Sequence, residues 1–282
     1  MMDKISVLDF LNKKSNQYYM SEKIFGILLE KKIFDSYGKK QYRKNKFSNN
    51  SNYYLYKELK IDTLKYNSFF DVCSNPNNHS IYLMNSNKKI KGVGISLGID
   101  KGGYPPNPEI DKYKDRYEII YYDLLTDNKK KLQSLKKFDY ALSDCFIKHN
   151  RILLNNKLNF FNKLLQYNSL DLILSLLKPG GDMIYLLPFQ FDPIFFLNFL
   201  FLLYQIFEKN TIYKSKDYYP DLAIVFIYSE KYNPDFDKKY LNEIKEKEII
   251  FNNDFLEEHI NDIDYIYKII NIGLIKSIKK NN

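Results

Sequence analysis

Phe69-Phe70-Asp71-Val72-Cys73-Ser74-Asn75-Pro76-Asn77-Asn78-His79-Ser80-Ile81-Tyr82-Leu83 is the stretch on which the fold turns. It opens as an apolar run, Ser68 to Cys73, that predicts a buried strand, and it closes in a helix through Ile81 and Met84. Between them, Ser74, Asn75, Pro76, Asn77 and Asn78 are turn-forming residues, and Asn is the non-glycine residue that best tolerates positive φ. Strand, tight turn and helix in that order predict one unit of a parallel α/β sheet, whose ligands bind at the carboxyl ends of the strands.

The pattern repeats downstream. Strands are predicted at Lys91–Leu97, Glu118–Tyr122 and Phe138–Ser143, and the last two end on aspartates, Asp123 and Asp144. A helix is predicted over Leu158–Leu177, and the turn Lys178-Pro179-Gly180-Gly181 leads into a strand over Asp182–Leu187. A helix over Ile194–Phe207 and a strand over Leu222–Tyr228 follow. Continuous apolar strands alternating with helices predict a mostly parallel sheet covered on both faces. Ser74, Asp123 and Asp144, which end their strands, are the residues to inspect for chemistry.

The flanks differ. Residues 1–35 carry apolar residues at helical intervals, whereas 36–53 are polar and basic, a linker whose Lys39, Lys40, Arg43, Lys44 and Lys46 either grip phosphates or are simply solvated. Beyond Lys231 the chain is charged and then amphipathic, predicting packing helices and a basic tail. The division expected is a helical and basic extension over 1–53, a central domain over 54–230 and a helical extension over 231–282.

With 282 residues and 45% hydrophobic content, the chain can bury a full core. Its 26 Tyr and 21 Phe fit an AT-rich genome as well as any function. The net charge of +9 suits nucleic acid, though a lysine-rich proteome gives the same balance. Cys73 and Cys145 are too few for a disulfide framework or a four-cysteine zinc site, and His79, His149 and His259 lack metal-ligand spacing. No metal is expected. The segment Ile194–Phe207 is interrupted by Asn198 and Gln205 and falls short of the ~18 apolar residues of a membrane span, so it reads as a buried helix. The start, MMDKISVLDFLNKK, has no signal-peptide core. These features predict a soluble, cytoplasmic protein of a reducing compartment.

The opening segment resembles the first motif of the FtsJ-like RNA ribose 2′-O-methyltransferases, above all the viral and eukaryotic cap enzymes. In that family Asp-[Leu/Val]-Cys is followed by a small residue, a Pro, a Gly-Gly pair, an aromatic residue, a Ser and, one residue later, Tyr-[Leu/Val]. Asp71-Val72-Cys73, Pro76, Ser80, Tyr82 and Leu83 match in register, and Asn77-Asn78 replaces Gly-Gly. Further matches follow in family order. Lys91-Gly92-Val93-Gly94-Ile95-Ser96-Leu97 resembles the second strand, Asp123 the acidic residue near the cofactor's adenine, Ser143-Asp144 the strand end with a catalytic aspartate, and Leu177-Lys178-Pro179-Gly180-Gly181 the turn before the next strand. The resemblance covers roughly residues 54–228. It implies a Rossmann-like S-adenosylmethionine-dependent methyltransferase fold with a seven-stranded sheet. It also implies cofactor contacts from Asp71, Ser74, Pro76, Asn77, Asn78 and Asp123, with RNA as a partner and a capping or RNA-modification complex as a setting.

The family activates a ribose hydroxyl with a Lys-Asp-Lys-Glu set. Carried over, the first lysine is Lys57 and the aspartate is Asp144, while Asp221 stands in place of the glutamate. The second lysine should lie five residues beyond Gly181, where Leu186 stands. Leucine accepts no proton, and loss of such a group typically lowers rate by ~10²–10⁴. Two functions therefore stay open. One is an active S-adenosylmethionine-dependent RNA methyltransferase, acting on an mRNA cap or a structured RNA. The other is a catalytically inert methyltransferase fold serving as an RNA-binding or stimulatory subunit. A small-molecule or protein methyltransferase on the same fold is a third option.

Overall fold

The computed structural model describes residues 49–145, 157–188, 193–213, 224–237, 239–246 and 253–259. Helix α1 (Asn49–Glu58) leads into β1 (Ser68–Val72), α2 (Asn78–Ser86), β2 (Lys91–Ser96), β3 (Tyr117–Tyr121) and β4 (Phe138–Ser143). Helix α3 (Lys157–Leu176), β5 (Leu177–Pro188), α4 (Pro193–Ile206), β6 (Phe207–Tyr213) and β7 (Ile224–Tyr232) follow, and α5 (Lys239–Glu246) and α6 (Asn253–Glu258) close the described chain.

The seven strands form one sheet in the order β3-β2-β1-β4-β5-β7-β6. Neighbours from β3 through β5 are parallel, and β7 runs antiparallel to both β5 and β6. A doubly wound sheet whose seventh strand is reversed and inserted beside the fifth is the Rossmann-like methyltransferase fold. Chain order changes direction between β1 and β4, so the crevice expected to hold ligand opens at the ends of those two strands.

Alternating residues of each strand feed two cores. Phe69, Tyr140, Leu142, Ile184, Leu186 and Phe226 pack under α1 and α2. Phe70, Val72, Ala141, Tyr185, Leu187 and Val225 pack under α3 and α4. Period-two side-chain alternation makes this division unavoidable in a sheet covered on both faces. Helix α4 is apolar around its whole circumference because Tyr240 of α5 and Phe255 of α6 cover its outer side through Phe201. Among the described residues no helix is long and apolar enough to cross a membrane.

Several boundaries differ from the sequence expectation. Helix α1 begins at Asn49, inside the predicted linker, because Asn52, Leu55, Tyr56 and Leu59 bury one face despite the polar start. Strand β6 was not foreseen: it is an edge strand with a half-exposed, polar sequence and little apolar signal. The predicted Lys178–Gly181 turn is a bulge within β5, where pairing jumps from Phe138↔Leu177 to Tyr140↔Asp182 and Gly180 takes φ 72°. The helical reading of 1–35 lies outside the described residues.

Candidate functional site

The first-motif segment forms the predicted turn. Asn77 caps α2 in the left-handed region at φ 66°, ψ 22°, the conformation a glycine would adopt without strain. Its side chain is fully buried and donates through Nδ2 to the Tyr117 hydroxyl at 3.2 Å. A side chain at a glycine position of this turn can also project outward, toward the crevice. The amide instead turns inward, toward a hydroxyl between helix and sheet. Pro76 follows a cis peptide and is half-buried, as is Asn78, the first residue of the helix.

Beneath this turn lies a buried polar network. Ser80 Oγ donates to Asp71 Oδ2 at 2.5 Å and lies 2.9 Å from the Tyr117 hydroxyl. Burial pushes the Asp71 carboxyl up to about 7, against the Ser80 hydrogen bond that lowers it and with the nearby Asp144 charge that raises it. Burial likewise holds the Tyr117 hydroxyl in its neutral form. Gly92 and Gly94 exist for these rings. A Cβ on Gly92 would sit 2.2 Å from the Phe69 ring, and one on Gly94 would sit 2.0 Å from the Tyr117 hydroxyl. The two rings stack along the strand with centroids 5.8 Å apart.

Asp144 stands at the neighbouring tip, its backbone N–H donating to Val72 O of β1. Its carboxylate is 4.0 Å from His79 Nε2. Both residues, with Leu142, Ser143, Ile184, Leu186 and Phe226, line a shallow depression of about 10 Å³, room for one water-sized group. The position aligned with the family's second lysine is thus brought to the aspartate, and it is apolar: Leu186 is 1% exposed. That space is far below the ~300–1,000 Å³ of ordinary small-molecule pockets, so it admits a single reacting group and not a whole ligand.

Other expected residues are placed less centrally. Asp123 follows β3, separated from β1 by β2, and its Oδ1 accepts from Leu125 N while its own N–H donates to Asp127, so it shapes the next turn. Lys57 is exposed, with Nζ over the Tyr53 ring at 5.7 Å, and among the described residues no ion pair joins it to Asp144. Its neighbour Tyr56 takes the inward face of α1, 4.7 Å from the Tyr82 ring and 6.3 Å from His79. Asp221 lies outside the described residues. Ser74 is buried at the end of β1.

Two features escaped sequence reading. Cys73 and Cys145 form a disulfide across the β1 and β4 tips, with Cα atoms 5.2 Å apart. Two cysteines do rule out a framework, but their positions after neighbouring strands of a parallel sheet already allowed one bond. His79 occupies the place of the family's aromatic residue after the glycine pair. Its proximity to Asp144 needs the β1–β4 pairing, which no local pattern gives. Burial draws its imidazole pKa down to about 4. Among the described residues there is no group of three or more His, Cys, Asp or Glu able to hold a metal ion.

No family model matches the sequence, and no curated protein is similar to it. Among solved structures, the chain is similar to a protein described as a ribosomal RNA methyltransferase of Plasmodium falciparum, at 15% identity over 66% of this chain and 97% of that one, with a TM-score of 0.47. It is also similar to fibrillarin in its Nop5p complex, at 11% identity over 61% of this chain and 75% of that one, with a TM-score of 0.41. A third is the T. thermophilus 16S rRNA N2 G1207 methyltransferase RsmC with AdoMet and guanosine, at 9% identity over 62% and 40%, TM-score 0.37. Scores this low add nothing to the sheet order and say nothing of activity.

Proposed function

We propose that the chain is an S-adenosylmethionine-dependent RNA methyltransferase domain of the FtsJ-like type, with the acceptor atom seated in the depression beside Asp144. The observation that carries this is the meeting of the first-motif turn, Asp144 and the Leu186 position at the one place where the sheet changes direction. The net charge of +9 supplies the attraction to a polyanion. Lys130, Lys136 and Lys137 present an exposed basic stretch before β4.

The turn offers what the amino-acid end of the cofactor needs. Asn75 Oδ1 is a buried acceptor with no hydrogen-bond partner among the described residues, and an α-ammonium group would satisfy it. When bound, the cofactor supplies an electrophilic methyl group on a sulfonium sulfur. Asp71 organises the turn through Ser80, and Ser74, Pro76 and Asn78 shape its outer side. Asp123, roughly two strand spacings or ~10 Å from β1, would serve the adenine end of the cofactor. Lys57, exposed on α1, serves RNA phosphate better than it serves the acceptor. Asp221 retains the carboxylate role that the resemblance assigns.

Calorimetry with S-adenosylmethionine, followed by methyl transfer from labelled cofactor to capped and uncapped RNA, tests the reading. Binding and transfer, with transfer lost in Asp144→Ala, are the expected results; no binding of the cofactor overturns it. One observation favours a second reading. Leu186 and Phe226 make the wall opposite Asp144 apolar, as suits an inert fold that binds RNA as a stimulatory subunit of a capping or modification complex. Tight RNA binding with no transfer to any RNA would select it.

A further inference from the structure

We infer that His79, paired with Asp144, is the proton acceptor that replaces the missing lysine. The inference rests on the methyltransferase reading above and deepens it. Three observations place the pair. His79 and Asp144 line the same depression as Leu186, so the imidazole borders the space that a lysine at that position would have reached. The 4.0 Å between Nε2 and Oδ2 is too long for a direct hydrogen bond, and it leaves room for a hydroxyl placed against both atoms. The other described residues around the depression offer hydrocarbon or, at Ser143, a hydroxyl committed to Ser169, so none of them accepts a proton.

The chemistry balances with the groups named. The acceptor hydroxyl gives its proton to His79 Nε2. Its oxygen forms the bond to the methyl carbon as the carbon–sulfur bond breaks, and that bond's electron pair remains on sulfur as a thioether. Asp144, ionised beside the ring, stabilises the imidazolium. Among the described residues, the groups facing His79 are Asp144 from the β4 tip and Tyr56 from α1, held neutral by burial. Leu186, Ile184 and Phe226 bring no charge from β5 and β7. Burial keeps the ring neutral at physiological pH but makes it a weaker base than a free imidazole, so proton acceptance depends on the Asp144 carboxylate beside it.

The test uses the full chain and two variants. His79→Phe restores the ring of the family and keeps the packing on Tyr56, while His79→Gln keeps polarity without basicity. S-adenosylmethionine affinity by calorimetry should stay within threefold in both, whereas transfer to RNA falls ~10²–10⁴-fold. Independently of activity, NMR titration of the imidazole without cofactor should show His79 titrating near pH 4 in the native chain. That titration should move lower in Asp144→Asn, as removal of a neighbouring negative charge requires. Transfer within threefold of the native rate in His79→Phe overturns the inference and leaves the methyltransferase reading standing, as does a His79 titration unmoved by Asp144→Asn. A native chain that binds no S-adenosylmethionine overturns both.

Discussion

The two walls of the strand-tip depression have opposite chemistry. On the β1–β4 side, Asp144 and His79 face the opening, and behind them Asp71, Ser80, Asn77 and Tyr117 form a buried hydrogen-bonded network. On the β5–β7 side, Ile184, Leu186 and Phe226 offer only hydrocarbon. The apolar wall is fully buried, whereas Asp144, with 22% of its side chain exposed, stands at the rim of the other. A buried polar wall survives only if its members satisfy one another, and each member then constrains the rest. A buried apolar wall is constrained by volume alone. The site thus keeps its capacity for proton handling on one side and has lost it on the other.

The largest test of the polar wall is its titration. The Asp71 carboxyl, near 7 when folded against an ordinary 3.8, keeps a proton that the unfolded chain releases between about pH 4 and pH 7. The stability this contributes is complete below about pH 4 and is lost as pH rises through 7, a decline of roughly 4 kcal/mol. Asp71→Asn keeps the acceptor for Ser80 and removes the titration. Urea denaturation at pH 5 and pH 8 should show about 2.5 kcal/mol of this decline in the native chain and a much smaller one in the variant. Equal slopes in the two proteins would mean that Asp71 is ionised in the folded state and the network is wetter than described.

The apolar wall is tested by giving it the missing charge. Leu186→Lys places an ammonium between Ile184 and Phe226, with Asp144 across the depression. Lost apolar burial and desolvation of the charge should cost about 2–3 kcal/mol at pH 7. Because burial lowers a lysine's pKa, stability should recover as pH rises toward 10, the ordinary lysine range. A cost below about 1 kcal/mol would show that Asp144 pairs with the ammonium, making the two walls one electrostatic unit.

Much of this comparison could be read in the sequence, and the unread part has a common cause. The strand from Phe138 to Ser143 and the position of Asp144 follow from local pattern, because a continuous apolar run ending in an acid has few other readings. The apolar character of the second wall was legible at Leu186, since counting along one strand needs no tertiary knowledge. Three features needed contacts between distant residues: the 4.0 Å approach of His79 to Asp144, the Cys73–Cys145 bond and the inward turn of Asn77. Tyr117 is the instructive case. It reads as one more aromatic at the start of a strand, yet its hydroxyl joins the buried network because Gly94 leaves space for it. Lys57 shows the reverse failure: the resemblance gave it a place in the site, but adjacent helical residues point about 100° apart, and Tyr56 takes the inward position.

Gly94→Ala measures how tightly that network is fixed. The new Cβ would meet the Tyr117 hydroxyl at 2.0 Å and Ser74 Oγ at 2.6 Å, so hydroxyls already engaged must move. Overpacking of this kind costs about 1–3 kcal/mol, and a fall of about 2 kcal/mol in the urea-derived stability is expected. No measurable loss would mean that Tyr117 swings aside freely and that the polar wall is adaptable.

The smallest effect concerns the residue that departs most visibly from the family. Asn77→Gly relieves a left-handed backbone at φ 66° but forfeits the bond to Tyr117, and it frees the unfolded chain. Relief of strain and loss of a neutral hydrogen bond are each about 1 kcal/mol and opposed, so net stability should change by about 1 kcal/mol or less. Ligand affinity is the sharper readout. With the amide turned between α2 and the sheet, its removal opens nothing in the crevice, and S-adenosylmethionine affinity should change less than threefold. A tenfold gain would show instead that the side chain swings out and obstructs the ligand. The polar wall would then be a barrier to the cofactor, and the inert reading would hold.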